Sequence, residues 1–391
     1  MPTSPHLAIF TDDPDRGGVA AYNHQVAMGA RQRGFEVTML QTRSAGAAFQ
    51  EQKAAGIGHH WIPYDTSAEF VRTITDTETA TRLFQTAKPD VVLFSDCCAV
   101  SNIAAKHVAI SAHLPYLTIN HNAAPYLAER FAQCLPVVGS QMAGATNVIT
   151  VSTENLRLLR AHFGLAADRG LVIYPGATAS FFAPPNAVKR RELRQRYRID
   201  EDAIVSFTAS RLDPMKGFLF QIRALELLRQ QNPRSKIVCV WAGDGESLSA
   251  FNREIGQKRL GDRIKLVGRQ SDIPGWLDAS DIFTLTSLSE GMPICIMEAM
   301  AKKVPVISTN VGGVAEELAD TGILLPDPNT HPKEVVIGLT QAWHDLESHP
   351  AKRQTLIEAA HQRALTEFQI EGMIDRVLTE VERISSSPAA V

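Results

Sequence analysis

Short runs of mostly apolar residues alternate with longer amphipathic stretches along nearly the whole chain. Residues 7–10 form the first run, and Gly17-Gly18 then opens a helical pattern over 19–33. Gly34 closes that helix, and 35–40 is the next run. Strand, glycine turn, helix, glycine, strand is a βαβ unit. Further strand-like runs fall at 91–94, 116–119, 147–151 and 171–174, the last followed by Pro175-Gly176. A second series begins at 204–207. A helix is expected over 217–230, where Phe220, Ala224, Leu227 and Leu228 repeat at helical spacing. Runs at 237–241, 264–267, 281–285 and 304–308 continue the alternation. Apolar runs of this kind suit parallel strands covered on both faces. The expected fold class is α/β, with two doubly wound domains facing across a cleft. In such sheets ligands bind beyond the carboxyl ends of the strands. The tract Phe182-Ala183-Pro184-Pro185-Asn186 marks the boundary, which gives domains 1–183 and 184–369. A terminal helix over 370–384 carries Met373, Ile374, Val377, Leu378 and Val381 on one side.

Composition narrows the class of partner. The 391 residues are 45% hydrophobic and 21% charged, an ordinary globular balance with material for sizeable cores. A formal net charge of -3 leaves no footprint for nucleic acid, which demands a concentrated basic field. A small phosphorylated ligand needs only a few local cations and stays allowed. The six basic residues between Lys189 and Arg198 read as a solvated helix beside the linker, because Glu192 interrupts them and apolar residues are sparse. Five cysteines, with only Cys97-Cys98 close in sequence, suit neither a disulfide scaffold nor a zinc clip. The opening residues lack the pattern of a secretion signal, and no apolar run approaches the ~18 residues that span a bilayer. These features lead us to expect a soluble cytoplasmic protein, with contact at the inner face of a membrane left open.

Candidate chemistry clusters on the loops that follow strands. The first, Thr11-Asp12-Asp13-Pro14-Asp15-Arg16-Gly17-Gly18, lacks the GxGxxG fingerprint of a nicotinamide site. Gly17 and Gly18 at a helix start still suit an anion, or simply a tight turn. After the 204–207 run, Arg211 and Lys216 flank a strand-to-helix loop. Two cations there can clamp a diphosphate, Arg211 bidentately and Lys216 as a point charge, or can be a salt-bridged surface loop. Asp213 can hold Arg211. Gly243 and Gly245, around Asp244, let either a ligand or a neighbouring backbone approach. Arg269 follows Gly268 on the next loop. Trp276 beyond it reads as core. The richest stretch is Ser289-Glu290-Gly291-Met292-Pro293 running on to Glu298. If the helix has begun early enough, Glu290 and Glu298 share nearly one azimuth. Glu298 sits among apolar neighbours, and burying it without a partner is costly, so a ligand diol is an attractive partner. Gly312 and Gly313 form a last glycine loop. His121, after the 116–119 run, stands as a lone histidine with either a core or a functional role.

Together Arg211, Lys216, Gly243-Asp244-Gly245, the SEGMPxxxxEAMA stretch with seven residues between Glu290 and Glu298, and Gly312-Gly313 resemble the signature of the family 4 retaining glycosyltransferases. The resemblance implies a GT-B fold of two Rossmann-like domains, an acceptor-side first domain and a donor-side second domain. It implies that 370–391 crosses back to the first domain. It assigns His121, Arg211, Lys216 and Glu290 to catalysis. It assigns Gly17, Gly18, Gly243, Gly245, Arg269, Gly291, Met292, Pro293, Glu298, Gly312 and Gly313 to the donor, with Glu298 on the ribose. Ser152-Thr153-Glu154-Asn155 resembles a segment lining the cleft. The implied substrates are a nucleoside-diphosphate sugar and a hydroxyl acceptor, with no tightly bound cofactor and no metal ligands. One departure is Pro175-Gly176-Ala177-Thr178, where the family often carries an Asn and an Asp. A glycoside phosphorylase or sugar-phosphate synthase of the same fold, and a nonenzymatic binding protein, are the competing readings. The nucleotide base, sugar, acceptor and oligomeric state stay open.

Overall fold

The computed structural model describes residues 5–13 and 17–385. Pro14, Asp15 and Arg16 of the first loop, and the tail after 385, lie outside the described residues. The chain forms two compact units. The first comprises Met1–Pro175 with Ile370–Val391, and the second comprises Gly176–Gln369. The punctuation at 182–186 therefore lies inside the second unit. The Ala177 amide donates to the Phe368 carbonyl at 2.8 Å, and the Lys302 amine donates to the Ala183 carbonyl at 3.2 Å. These bonds tie the linker to the second unit before the prolines are reached.

The first unit holds β1 His6–Thr11, β2 Glu36–Thr42, β3 Gly58–Ile62, β4 Val91–Asp96, β5 Tyr116–Asn120, β6 Val148–Thr150 and β7 Leu171–Val172. All pair parallel, in the order β3-β2-β1-β4-β5-β6-β7. The second unit holds β8 Ile204–Ala209, β9 Ile237–Ala242, β10 Ile264–Gly268, β11 Ile282–Leu285, β12 Val306–Thr309 and β13 Ile323–Leu325, parallel in the order β10-β9-β8-β11-β12-β13. The Rossmann-like α/β class expected from the sequence is the one observed. The strand order reverses between β1 and β4 in one sheet and between β8 and β11 in the other. Each reversal opens a crevice at the carboxyl ends of the strands.

Central strands are buried throughout, as continuous apolar runs require. β3 and β13 are edge strands that the sequence pattern did not mark, and β13 is only three residues long. Gly58–Ile62 reads Gly-His-His-Trp-Ile and is mostly half-exposed, so no continuous apolar run marks it. Trp276 is fully buried and stacks on Phe207, with ring centroids 5.8 Å apart. It is core, as expected.

The basic helix Ala187–Arg196 departs from the solvated reading. Arg190 and Arg194 both grip Asp281, at 2.8 and 2.6 Å, and Arg194 also donates to the carbonyls of Ala279, Asp200, Glu201 and Ala203. Part of the run that looked like surface charge clasps the helix to the start of β11. The terminal helix Ile370–Ser385 packs within the first unit, burying Met373, Val377, Leu378, Val381 and Ile384. Arg33 binds Asp375 and Glu382, and Asn147 donates to Glu380 at 3.1 Å.

Candidate active site

In the second unit the crevice between β8 and β11 is bridged by one short ion pair. Lys216 lies in the turn Pro214–Lys216 after β8, and Glu290 in the loop after β11. The Lys216 amine donates to Glu290 Oε1 at 2.6 Å, with both side chains largely buried. Burial disfavours the ammonium, but the Glu290 carboxylate outweighs it and the Lys216 pKa is raised. Lys216 is therefore a fixed cation at the head of the crevice. Arg211 is two-thirds exposed and only loosely paired with Asp213, at 3.4 Å. It is the more exposed and less tightly paired cation of the two.

The loops around this pair are stitched together at glycines. A β-carbon on Gly243 would sit 1.9 Å from the Ser210 carbonyl, and one on Gly312 would sit 1.8 Å from the Glu290 carbonyl. Gly312 also has φ of 54°, a left-handed conformation that suits glycine. So Gly243, and Gly245 beside Leu212, are explained by a neighbouring backbone, the second of the two readings open in the sequence. Gly312 and Gly313 press on the Glu290–Gly291 backbone, and the Gly313 amide donates to the Gly291 carbonyl at 2.8 Å. Gly17 differs. A β-carbon there would meet no atom of the described residues within 4 Å. Gly18 is the first residue of the helix Gly18–Gln32.

The helix after β11 starts at Ile294, with Pro293 before it. Glu290 thus precedes the helix, and the shared-azimuth argument for Glu290 and Glu298 does not apply. Only Glu298 is helical, and Met292 is buried between the two glutamates in sequence. The Glu298 carboxylate makes no hydrogen bond or ion pair among the described residues. Burial pushes its pKa up to about 8. Arg269 is an exposed side chain at the end of β10.

A third acid in this region escaped sequence reasoning. Glu317, on the short helix Val314–Leu318 behind Gly312-Gly313, is completely buried, and neither carboxyl oxygen has a hydrogen-bond partner among the described residues. Burial, reinforced by the Glu290 carboxylate, holds its pKa well above the usual range against a smaller effect of the Met297 amide. Its exposed-looking neighbourhood in sequence, Ala315-Glu316-Glu317, gave no signal.

The first unit fills its own crevice, between β1 and β4, with a polar network. Asp12 follows β1 and accepts from the Cys97 amide at 2.9 Å, the Ser101 hydroxyl at 2.6 Å and Asn102 at 3.4 Å. Burial raises its pKa to about 6, with the Cys97 and Ser101 donors opposing. Asp96 pairs with Lys106 at 2.6 Å and accepts from Thr118 and Asn102. These ties hold the carboxyl ends of β1, β4 and β5 in register. His121 follows β5 on this frame. Its Nε2 lies 2.9 Å from the Ser95 hydroxyl, its ring meets Tyr22 edge-on at 4.9 Å, and its carbonyl accepts from Asn155 at 3.0 Å. Ser152 caps the helix Thr153–His162, accepting from the Asn155 amide. Ser95 and the Asp12–Asp96 network were not singled out in the sequence.

The geometry thus defines a two-unit α/β protein whose second half holds the Lys216–Glu290 pair in a crevice among glycine-bearing loops. Residues 16–181 match the model for Glycosyltransferase Family 4, and residues 189–363 match that for Glycosyl transferases group 1. The chain belongs to the glycosyltransferases of the GT-B fold. It is 28% identical over 194 residues to a D-inositol 3-phosphate glycosyltransferase of Streptomyces scabiei, covering 46% of this chain and 43% of that one. It is 25% identical over 389 residues to a GDP-mannose-dependent alpha-(1-6)-phosphatidylinositol monomannoside mannosyltransferase of Mycolicibacterium smegmatis, covering 93% and 94%. The chain spans about half the length or less of several other curated relatives, 56% of one and 37% of another. Among solved structures, Anabaena HepE in complex with UDP-glucose superposes with a TM-score of 0.80 at 21% identity, over 97% of this chain and 99% of that one.

Proposed function

We propose that the protein transfers a sugar from a nucleoside-diphosphate sugar to an acceptor hydroxyl, with retention of anomeric configuration and without a metal. The observation that carries this reading is the Lys216–Glu290 pair spanning the β8/β11 crevice, with the unpartnered Glu298 carboxyl on the helix that follows. Similarity to glycosyltransferases that use nucleotide sugars, and to a fold that holds UDP-glucose in HepE, supports it.

In this reading the bond between the anomeric carbon and the diphosphate oxygen breaks, and its electron pair stays on the diphosphate. Lys216 and Arg211 neutralise that growing charge, as preorganised cations do for a transition state. The acceptor oxygen bonds the anomeric carbon on the same face and passes its proton to a diphosphate oxygen. Glu290 orients the sugar while Lys216 holds its carboxylate. Glu298 takes the ribose hydroxyls, which supply hydrogen bonds that its half-buried carboxyl lacks among the described residues. His121 meets the transferred sugar. The cytoplasmic setting expected from the sequence belongs to the same proposal.

A thermal-shift panel of UDP-, GDP- and ADP-sugars should single out one donor by selective stabilisation. Transfer with that donor should yield product of unchanged anomeric configuration by NMR. Lys216→Ala should lower kcat about 100-fold or more, and Glu298→Ala should raise the donor KM about tenfold. An inverted product would end the retaining assignment. Wild-type transfer by both variants would end the assignment of the site.

A further inference from the structure

His121 is held by partners that constrain which of its nitrogens carries a proton. The residue is nine-tenths buried, and burial alone lowers its pKa to about 3, so the ring is neutral at any working pH. A neutral imidazole has one donor nitrogen and one acceptor nitrogen, and the bond made by one fixes the role of the other. Here the bonded nitrogen is Nε2, 2.9 Å from the Ser95 hydroxyl.

Ser95 decides the direction of that bond. It is fully buried in β4, and its hydroxyl has no other hydrogen-bond partner among the described residues. If Nε2–H donated to Ser95, the serine proton would be left buried with no acceptor. If Ser95 donates to Nε2, only spare lone pairs on its oxygen go unused. Orphaned donors are the rarer and costlier of the two. The proton of His121 then sits on Nδ1. That atom has no partner among the described residues, and it is not one of the side-chain atoms buried without a bond. The Tyr22 ring edge and the Asn155 bond to the His121 carbonyl fix the rest of the residue.

We propose that Ser95 is a positioning residue that holds His121 as its Nδ1–H tautomer, so that this histidine meets its ligand as a hydrogen-bond donor and not as a base. The acceptor would be a hydroxyl or ring oxygen of the transferred sugar, a step that rests on the function proposed above. An Nδ1–H donor there favours oxygens that gain negative charge and cannot take a proton from the acceptor hydroxyl. This agrees with the leaving diphosphate, and not His121, taking the proton in the function proposed above.

Long-range proton–nitrogen NMR on the full chain with 15N-labelled histidine reads the tautomer directly, His121→Gln identifying the signal. The expected wild-type spectrum shows protonated Nδ1 and bare Nε2. Protonated Nε2 in the wild type would overturn the proposal whatever the variants do. Ser95→Ala should shift the population toward protonated Nε2, and Ser95→Thr, which keeps the hydroxyl, should restore the Nδ1–H signal. An unchanged Ser95→Ala spectrum also overturns it. In transfer assays Ser95→Ala should lower kcat about tenfold with donor KM within about twofold. An equal loss in both Ser95 variants would reduce Ser95 to a packing role and count against the proposal. If the wild type neither binds nor uses a nucleotide sugar, the functional reading fails, and the spectrum still decides the tautomer.

Discussion

The carboxyl ends of the two sheets handle buried acids in opposite ways. In the first unit Asp12 and Asp96 are surrounded by donors, and Asp96 has Lys106 as a buried counter-ion. In the second unit Lys216 is taken by Glu290, and Glu298 and Glu317 are left without partners. The first arrangement gives both carboxylates their donors in the free protein, although Asn102 Oδ1 stays unpaired among the described residues, and it frames the end of the sheet that carries His121. The second is unfinished. Burial raises the pKa of both Glu298 and Glu317, and half-buried Glu298 is open to donors that a ligand would bring.

That contrast can be broken by substitution. The largest effect is expected from Asp96→Ala, which strands the buried Lys106 ammonium. A loss of about 3–5 kcal/mol is expected, read by urea unfolding or by hydrogen exchange of the β4 and β5 amides. A loss below 1 kcal/mol would show that the network is not what holds the first unit.

Glu298→Gln should move stability the other way. The folded pKa of about 8 lies above the ordinary 4.5. Between those values the native state keeps a proton that the unfolded chain has released. The contribution is therefore full below about pH 4.5 and is lost as pH rises through 8, a difference on the order of 5 kcal/mol. The glutamine variant should lack that slope, so its advantage over wild type should grow from pH 5 to pH 8.5 while donor affinity falls. Glu317→Gln should show the same direction of change, since its pKa is raised for the same first reason, with no ribose contact to lose. Parallel pH–stability curves for wild type and both variants would refute the idea that these acids are buried neutral.

The smallest effect separates frame from cap. Ser152→Ala removes the hydroxyl that caps the helix Thr153–His162 and should cost about 1 kcal/mol. Its effect on kcat should be slight compared with that of Ser95→Ala, because Ser152 supports Asn155 and does not touch the His121 ring.

The two α/β units, their central strands and the glycine-rich loops were legible in the sequence. Apolar runs of four or five residues mark strands covered on both faces, and Gly17-Gly18, Gly243, Gly245 and Gly312-Gly313 punctuate the strand ends. β3 was not legible, because Gly-His-His-Trp-Ile carries no continuous apolar run, and β13 was missed because it is only three residues long. Arg211, Lys216, Glu290 and Glu298 stood out by residue type and position after strands. Their different states did not. Lys216 is fixed by Glu290 while Arg211 stays loose, and Glu290 lies outside the helix that carries Glu298.

The linear order of residues determined which side chains stand at strand ends, because local periodicity alone fixes strands, helices and turns. Tertiary structure decided which of those side chains are satisfied. Asp12 meets Cys97 and Ser101 across 85 and 89 residues, and Glu290 meets Lys216 across 74. Partners so distant in sequence are set by sheet order and loop packing. The same packing buries Glu317 and turns one ring nitrogen of His121 toward Ser95, and no local pattern carries that information.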